Sequence, residues 1–217
     1  MIVTKQITNF IFDVDGTLLD TVDMYMPAAF AVLAKYGIVI DKKDQPAKIR
    51  RWFGIPAREM LEDAGIPADK LDAALQDNID VAYQHEDRVH VIDGVDDMLA
   101  QLSKRPGIKL AVATSKIRDE YKAHVADRFS FDKYMMARIT ATDTKRHKPF
   151  PDPILAAMKK LDAKPENTVY VGDTPNDGKA AHAAGVKFAG AMYGSVNPKA
   201  IANADFPLKT PADLLKI

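Results

Sequence analysis

Phe10-Ile11-Phe12-Asp13-Val14-Asp15-Gly16-Thr17 runs from three large apolar side chains straight into two acids. The apolar part, extended back to about Ile7, reads as a buried β-strand. Asp13 and Asp15 stand two residues apart and are expected to face the same direction. Like charges repel, and both groups must shed water. Such a pair persists at the end of a core strand only where a cation, a phosphate site or a reaction uses it. A bound divalent metal reverses the local balance by favouring both ionised forms. The plainer reading is an Asp-Gly turn with the acids as caps, which accounts poorly for the whole string after a Phe-Ile-Phe strand.

The chain has 217 residues, 47% apolar and 28% charged, enough for a globular fold with a sizeable core. Thirty basic and 30 acidic side chains give a net charge of +0, which argues against a surface for nucleic acid. The lack of cysteine excludes disulfides, thiolate metal sites and thiol catalysis. No apolar run suggests a membrane span, and Met1-Ile2-Val3-Thr4-Lys5-Gln6 lacks a signal-peptide pattern. A soluble cytoplasmic protein is expected, a monomer or weak homodimer.

After the acidic loop, a helix is expected from near Thr21, capped by Asp20 or Thr21 and stopped at Gly37. Met26, Phe30 and Leu33 share one of its faces; Met24, Met26 and Phe30 read as packing. Lys43–Trp52, a short helix after Pro56 and another after Pro67 follow without a strand. The last should carry a stripe of Leu71, Leu75, Ile79 and Ala82. The second half alternates. Helix Val95–Leu102, strand Ile108–Ala113 and helix Lys116–Ala126 lead to a strand near Tyr134–Ala137. Helix Pro153–Leu161, strand Thr168–Val171, helix Pro175–Ala184 and strand Val186–Ala189 come next. A strand near Phe206–Leu208 precedes a terminal helix from Pro211. That order implies an α/β fold, a doubly wound Rossmann-like parallel sheet, interrupted by an all-α insertion. Residues 1–17 and 91–217 form the expected core and residues 18–90 the insertion. Ligands of such sheets sit beyond the carboxyl ends of the strands.

Four groups fall just past expected strand ends. Asp13 could attack phosphorus and form an aspartyl-phosphate, while Asp15 passes protons. Thr114-Ser115 places hydroxyls and free amides where phosphate oxygens bind, although an ordinary N-cap reads the same way. Lys148 lies among prolines that fix its direction; its ammonium can neutralise phosphate or carboxylate. Gly172-Asp173-Thr174-Pro175-Asn176-Asp177 brings two further acids; Mg²⁺ takes a few carboxylates plus phosphate oxygens and water. The joint occurrence of these groups says more than any member.

On these residues the chain resembles the haloacid dehalogenase superfamily of aspartate-nucleophile phosphotransferases, over essentially its full length. The resemblance implies Asp13 as nucleophile and Mg²⁺ ligand, and Asp15 as general acid/base that lends its backbone carbonyl to the metal. It implies Asp173 as metal ligand, Lys148 as catalytic cation, and Gly172 and Asp177 as the outer shell of the metal site. Thr17, Thr114 and Ser115 would bind substrate. The insertion looks like the family's α-helical cap of the first type. Its specificity loop would lie near Arg50-Arg51-Trp52-Phe53-Gly54-Ile55-Pro56. Arg50, Arg51 or Arg58 could meet a second substrate anion, with Arg51 the chosen candidate, against the alternative that all three are solvated charges. Trp52 and Phe53 read as core, and the five histidines as surface.

Asp15 points to phosphate-ester chemistry, since true dehalogenases of the family lack that second aspartate. The expectation is a Mg²⁺-dependent phosphatase of a small phosphorylated metabolite, similar to phosphoglycolate phosphatases. A β-phosphoglucomutase-like mutase and an inorganic pyrophosphatase are the alternatives within the family. A non-catalytic binding protein is disfavoured because every motif residue is present.

Overall fold

The computed structural model describes residues 6–217. Residues 1–5, part of the stretch read for a signal-peptide pattern, lie outside the described residues. Six strands form one parallel sheet: β1 (Asn9–Phe12), β4 (Lys109–Ala113), β5 (Ala137–Ile139), β6 (Thr168–Gly172), β7 (Lys187–Ala191) and β8 (Phe206–Leu208). Their order is β5-β4-β1-β6-β7-β8. Phe10 pairs with Leu110 on one side and Val169 on the other. The chain therefore builds outward from β1 in one direction, then returns to build in the other. That reversal opens a crevice at the carboxyl ends of β1, β4 and β6.

The central strands β1, β4, β6 and β7 are buried on both faces, as parallel strands between helices must be. Ile11, Ala111, Ala113 and Tyr170 join a core with α7 (Asp152–Leu161) and α8 (Pro175–Ala183). The alternate residues Phe10, Phe12, Leu110, Val112, Val169 and Val171 are equally buried and point to the opposite face. Helix α5 (Val95–Ser103) buries Val95, Met98, Leu99 and Leu102.

By its internal contacts the chain divides into two compact units, Met1–Leu19 with Val91–Ile217, and Asp20–His90. The second is helical: α1 (Val22–Lys35), α2 (Gln45–Trp52), α3 (Ala57–Ala64) and α4 (Leu71–Tyr83). The Asp20 carboxylate accepts the Val22 amide at 3.2 Å, so Asp20 supplies the cap bond at the start of α1. Pro27 sits inside α1 and lacks the N–H that would bond the carbonyl four residues back. That carbonyl, of Asp23, takes an Arg88 guanidinium N–H at 3.4 Å instead. Trp52 and Phe53 are buried, with the Trp52 indole donating to Asp63 at 2.7 Å.

Several elements depart from expectation. Two-residue strands β2 (Leu19–Asp20) and β3 (His90–Val91) pair where the chain passes between the units; such short pieces leave no alternation to read. The buried positions of α4 are Leu71, Ala74, Asn78 and Ala82, whereas Ile79 is exposed. Leu71 and Ala82 of the expected stripe are buried, while Ala74 and Asn78, each one residue earlier, take the places expected for Leu75 and Ile79. Strand β5 begins at Ala137 because Ser130–Tyr134 forms a 3₁₀ turn. Burial alternates through Met135, Ala137 and Ile139 while Met136 and Arg138 face out, the pattern of an edge strand rather than an apolar block. Helix α6 (Arg118–Tyr121) opens into a π-turn over Lys122–Ala126, and Pro211–Lys216 is 3₁₀ rather than α.

Candidate active site

The site is assembled from loops that follow β1, β4, β5 and β6. The Asp13 amide still donates to Val171 O at 2.9 Å, so Asp13 closes the ladder. The chain then turns tightly: the amides of Thr17, Leu18 and Leu19 all donate to the Val14 carbonyl, at 3.3, 2.9 and 2.9 Å. Gly16 takes φ +70, a region that favours glycine, and a methyl group there would overlap the Asp173 carboxylate. At Gly172 a methyl group would overlap Asp177. The two acid-bearing loops are thus packed at a distance that admits no side chain between them.

Asp13, Asp173 and Asp177 are all buried and offer carboxylate oxygens within 4.8 Å of one another. Lys148 reaches in from the loop after β5, its ammonium 2.7 Å from Asp13 Oδ2 and 2.9 Å from Asp177 Oδ1. Asp177 is further held at the start of α8. Its Oδ2 accepts the Thr174 amide at 2.9 Å and the Thr174 hydroxyl at 2.6 Å, a capping box. Burial pushes the Asp13 carboxyl up to about 7, with Lys148 opposing and Asp177 adding. Burial also raises Asp173 well above the usual carboxylate range, reinforced by Asp177 and Asp13. Burial disfavours the Lys148 charge, but Asp13 and Asp177 outweigh it and hold its pKa well above the ordinary lysine value.

Fully ionised, three carboxylates against one ammonium would leave two surplus negative charges in a site shielded from water, and the raised pKa values of Asp13 and Asp173 reflect that cost. Asp173 Oδ2 is buried with no hydrogen-bond partner. An orphaned carboxylate oxygen among desolvated acids suits a hard divalent cation with oxygen ligands, and Mg²⁺ fits this donor set.

The two aspartates take different partners. Strand geometry ends at Phe12, so the two-residue period does not extend to Asp15, whose carboxylate lies outside the cluster of three. It pairs instead with Lys116 at 3.1 Å; Lys116 also lies 3.6 Å from Glu120 and is buried. Glu120 is fixed in turn by the Ile117 amide, 3.2 Å from its Oε2. In the sequence the Thr114-Ser115-Lys116 turn carries a family likeness but Lys116 itself no chemical role; its signal is a lysine two residues past Thr114 at a strand-to-helix turn. Tyr170 was likewise read only as strand core. Its hydroxyl donates to Ala113 O at 3.0 Å, and the Lys148 ammonium lies over its ring at 5.8 Å.

Thr114 is buried after β4, where its hydroxyl accepts the Lys116 amide at 3.3 Å, and Ser115 is exposed. Thr17 is fully buried in the acidic turn, its hydroxyl without a hydrogen-bond partner. Arg51 belongs to the helical unit, where its guanidinium is tied to the Asp63 carboxylate and the side chain is largely exposed. Arg58 is tied to Asp72 in the same way. None of the five histidines is buried.

The chain is similar in sequence or in fold to known proteins. Phosphoglycolate phosphatase 1 of Pseudomonas aeruginosa is 33% identical over 202 residues, covering 88% of this chain and 71% of the relative. Pyrophosphatase PpaX of Anoxybacillus flavithermus is 30% identical over 214 residues, with 97% and 96% covered. The crystal structure of a Lactobacillus plantarum protein, provisionally named a phosphoglycolate phosphatase, has a TM-score of 0.88 at 29% identity. It covers 98% of this chain and 99% of its own. The haloacid dehalogenase-like hydrolase profile matches residues 10–191, and the chain belongs to that family.

Proposed function

We propose that the protein is a Mg²⁺-dependent phosphatase that hydrolyses a small phosphorylated metabolite through an aspartyl-phosphate. The observation that carries this reading is the buried cluster of Asp13, Asp173 and Asp177 around Lys148. An Asp13 carboxyl near 7 in the metal-free protein is a poor nucleophile, and a cation at the orphaned Asp173 oxygen would keep it ionised. Held by Asp13, Asp173 and the Asp15 backbone carbonyl, Mg²⁺ would neutralise charge on the phosphoryl oxygens. The chain's own residues supply the remaining steps. Asp13 attacks phosphorus as the ester P–O bond breaks, and Asp15 gives its proton to the departing oxygen. Asp15 then takes a proton from water, whose oxygen attacks the phosphorus and frees Asp13 and inorganic phosphate. Lys148 and the Thr114 turn hold the phosphoryl oxygens. Lys116 fixes where Asp15 points.

Residues 20–90 are assigned the role of a substrate-selecting cap, with Arg50, Arg51 and Arg58 as its candidate cations. Phosphoglycolate is the first substrate to test, because a relative at 33% identity carries that name. Inorganic pyrophosphate is the second, because PpaX shares nearly the whole length. A β-phosphoglucomutase-like activity would appear in a coupled assay with β-glucose 1-phosphate. A phosphate-release screen over a metabolite panel, with and without Mg²⁺, tests the reading. Release that requires Mg²⁺ and vanishes in Asp13→Asn supports it; release by Asp13→Asn, or without any divalent metal, overturns it.

A further inference from the structure

A loop outside every motif bears on both acid-bearing loops at once. Met192-Tyr193-Gly194-Ser195-Val196-Asn197 follows β7 and is anchored to the sheet. The Met192 amide donates to Leu208 O at 3.0 Å and the Gly194 amide to Ala191 O at 3.2 Å. From that base three successive residues reach the site. The Tyr193 hydroxyl donates to Thr17 O at 3.1 Å, within the turn that carries Asp13 and Asp15. Burial keeps that hydroxyl protonated by raising its pKa. Gly194 lies so close to the Gly16 carbonyl that a methyl group on Gly194 would overlap it. The Ser195 hydroxyl donates to the backbone oxygen of Asp173 at 2.6 Å and accepts the Asn197 amide at 3.2 Å.

Gly194 presses on Gly16, and Gly16 presses on the Asp173 carboxylate. Loops stacked backbone on backbone have little freedom to drift, and the two hydroxyls tie one loop each. A cation shared by two carboxylates on different loops needs their separation fixed before it binds; otherwise binding must supply the ordering.

We infer that Tyr193-Gly194-Ser195 is the positioning element that holds the Asp13 and Asp173 loops at metal-binding separation. The inference rests on the assignment of Asp13 and Asp173 as ligands of the divalent cation. Outer partners of this kind typically change metal affinity by about 10–100-fold.

Titration of the metal-free full chain with Mg²⁺ by calorimetry tests it without an activity readout. Ser195→Ala is expected to weaken Mg²⁺ binding about tenfold, Ser195→Thr to restore it, and Tyr193→Phe to weaken it independently. The urea midpoint of metal-free Ser195→Ala should stay close to that of wild type, because the hydroxyl acts on loop separation rather than on the core. Gly194→Ala, which forces a methyl group onto Gly16, should lose more affinity than either. Wild-type affinity in both Ser195→Ala and Tyr193→Phe overturns the inference, and so does a loss in Ser195→Ala that Ser195→Thr fails to restore. If wild type binds Mg²⁺ and Asp173→Asn does not, that failure is confined to the positioning role. If wild type binds no Mg²⁺, both the inference and the metal-dependent phosphatase reading fall.

Discussion

Replacing Asp13 by Asn should make the metal-free protein more stable while ending its catalysis. The carboxyl is pushed by burial from an ordinary value of 3.8 to about 7, despite the opposing charge of Lys148. A folded-state pKa raised above the unfolded one means that the unfolded chain releases its proton first. Stability is then full below about pH 4 and declines as pH rises to about 7. At about 1.4 kcal/mol per tenfold step, the displacement corresponds to about 4 kcal/mol withheld above pH 7. Relaxation and water entry reduce such figures, so about 2–4 kcal/mol is expected at pH 8. Asn keeps the shape of the protonated acid, and its amide oxygen can still accept from Lys148. The measurement is urea unfolding of both proteins in EDTA at pH 4, 6 and 8. The gap should be near zero at pH 4 and widest at pH 8. Saturating Mg²⁺ should narrow or reverse it, because a ligand that binds only the folded state stabilises by mass action. No gain at pH 8, or a gain undiminished at pH 4, would refute the electrostatic argument, and retained phosphate release would refute the role of nucleophile.

Lys116→Met should lower kcat/KM for an alkyl phosphate at least tenfold more than for p-nitrophenyl phosphate, whose leaving group departs without a proton. Equal losses on both substrates would show that Lys116 supports the fold rather than Asp15. Gly16→Ala imposes left-handed backbone on a residue with a Cβ, at about 1–2 kcal/mol, and drives that carbon into the Asp173 carboxylate. Thermal unfolding should register the first effect, and a large loss of Mg²⁺-dependent phosphate release the second. Asp205 is held at about 2: its partial burial is outweighed by hydrogen bonds from Lys187, the Phe188 amide and His182. Its folded-state pKa is depressed, so its contribution is present above about pH 4 and lost as pH falls toward 2. Asp205→Asn should flatten the acid limb of the stability curve in that window, and an unchanged limb would rule the contact out as a source of stability.

What could be read in advance follows from what periodicity and side-chain chemistry encode locally. Gly37, Gly54 and Gly65 follow the ends of α1, α2 and α3 at positive φ, and each is visible as a stop signal without knowledge of the fold. The order of helices and strands in the second half gave the parallel sheet, because each crossover carries its own 3.6- and 2-residue patterns. The buried face of α4 was readable only at its ends, where Leu71 and Ala82 are buried as expected. Asn78 is buried and Ile79 exposed because helix packing selected for shape over hydrophobicity, and that selection depends on a partner helix. Lys116 and Tyr170 were missed for a related reason. Each looks ordinary in its own segment, and its importance lies in the group that another strand end presents to it. Ser195 is the extreme case, since it acts on Asp173 through the backbone and leaves no pattern in the sequence.

The same limit explains the opening pair of acids. Two aspartates two residues apart look equivalent on a strand, and simple repulsion would make the second a burden on the first. The turn after Asp13 breaks that equivalence by gathering three amides onto the Val14 carbonyl. Each acid then faces a different buried ammonium, Asp13 with Lys148 and Asp15 with Lys116. Asp15 consequently adds less to the pKa of Asp13 than Asp177 does, although Asp177 is remote in sequence. A nucleophile must stay unprotonated at the moment an acid beside it gives up a proton, and one shared environment could not set both conditions. Separate cations on separate loops hold two identical side chains in different places within one turn of chain, Asp13 against Lys148 and Asp15 against Lys116. On this argument Lys116→Met and Lys148→Met should fail differently. The first should lose proton delivery to poor leaving groups, and the second should lose activity on good and poor leaving groups alike. Matching leaving-group dependence in the two variants would show that the two ammoniums do not serve the two acids separately.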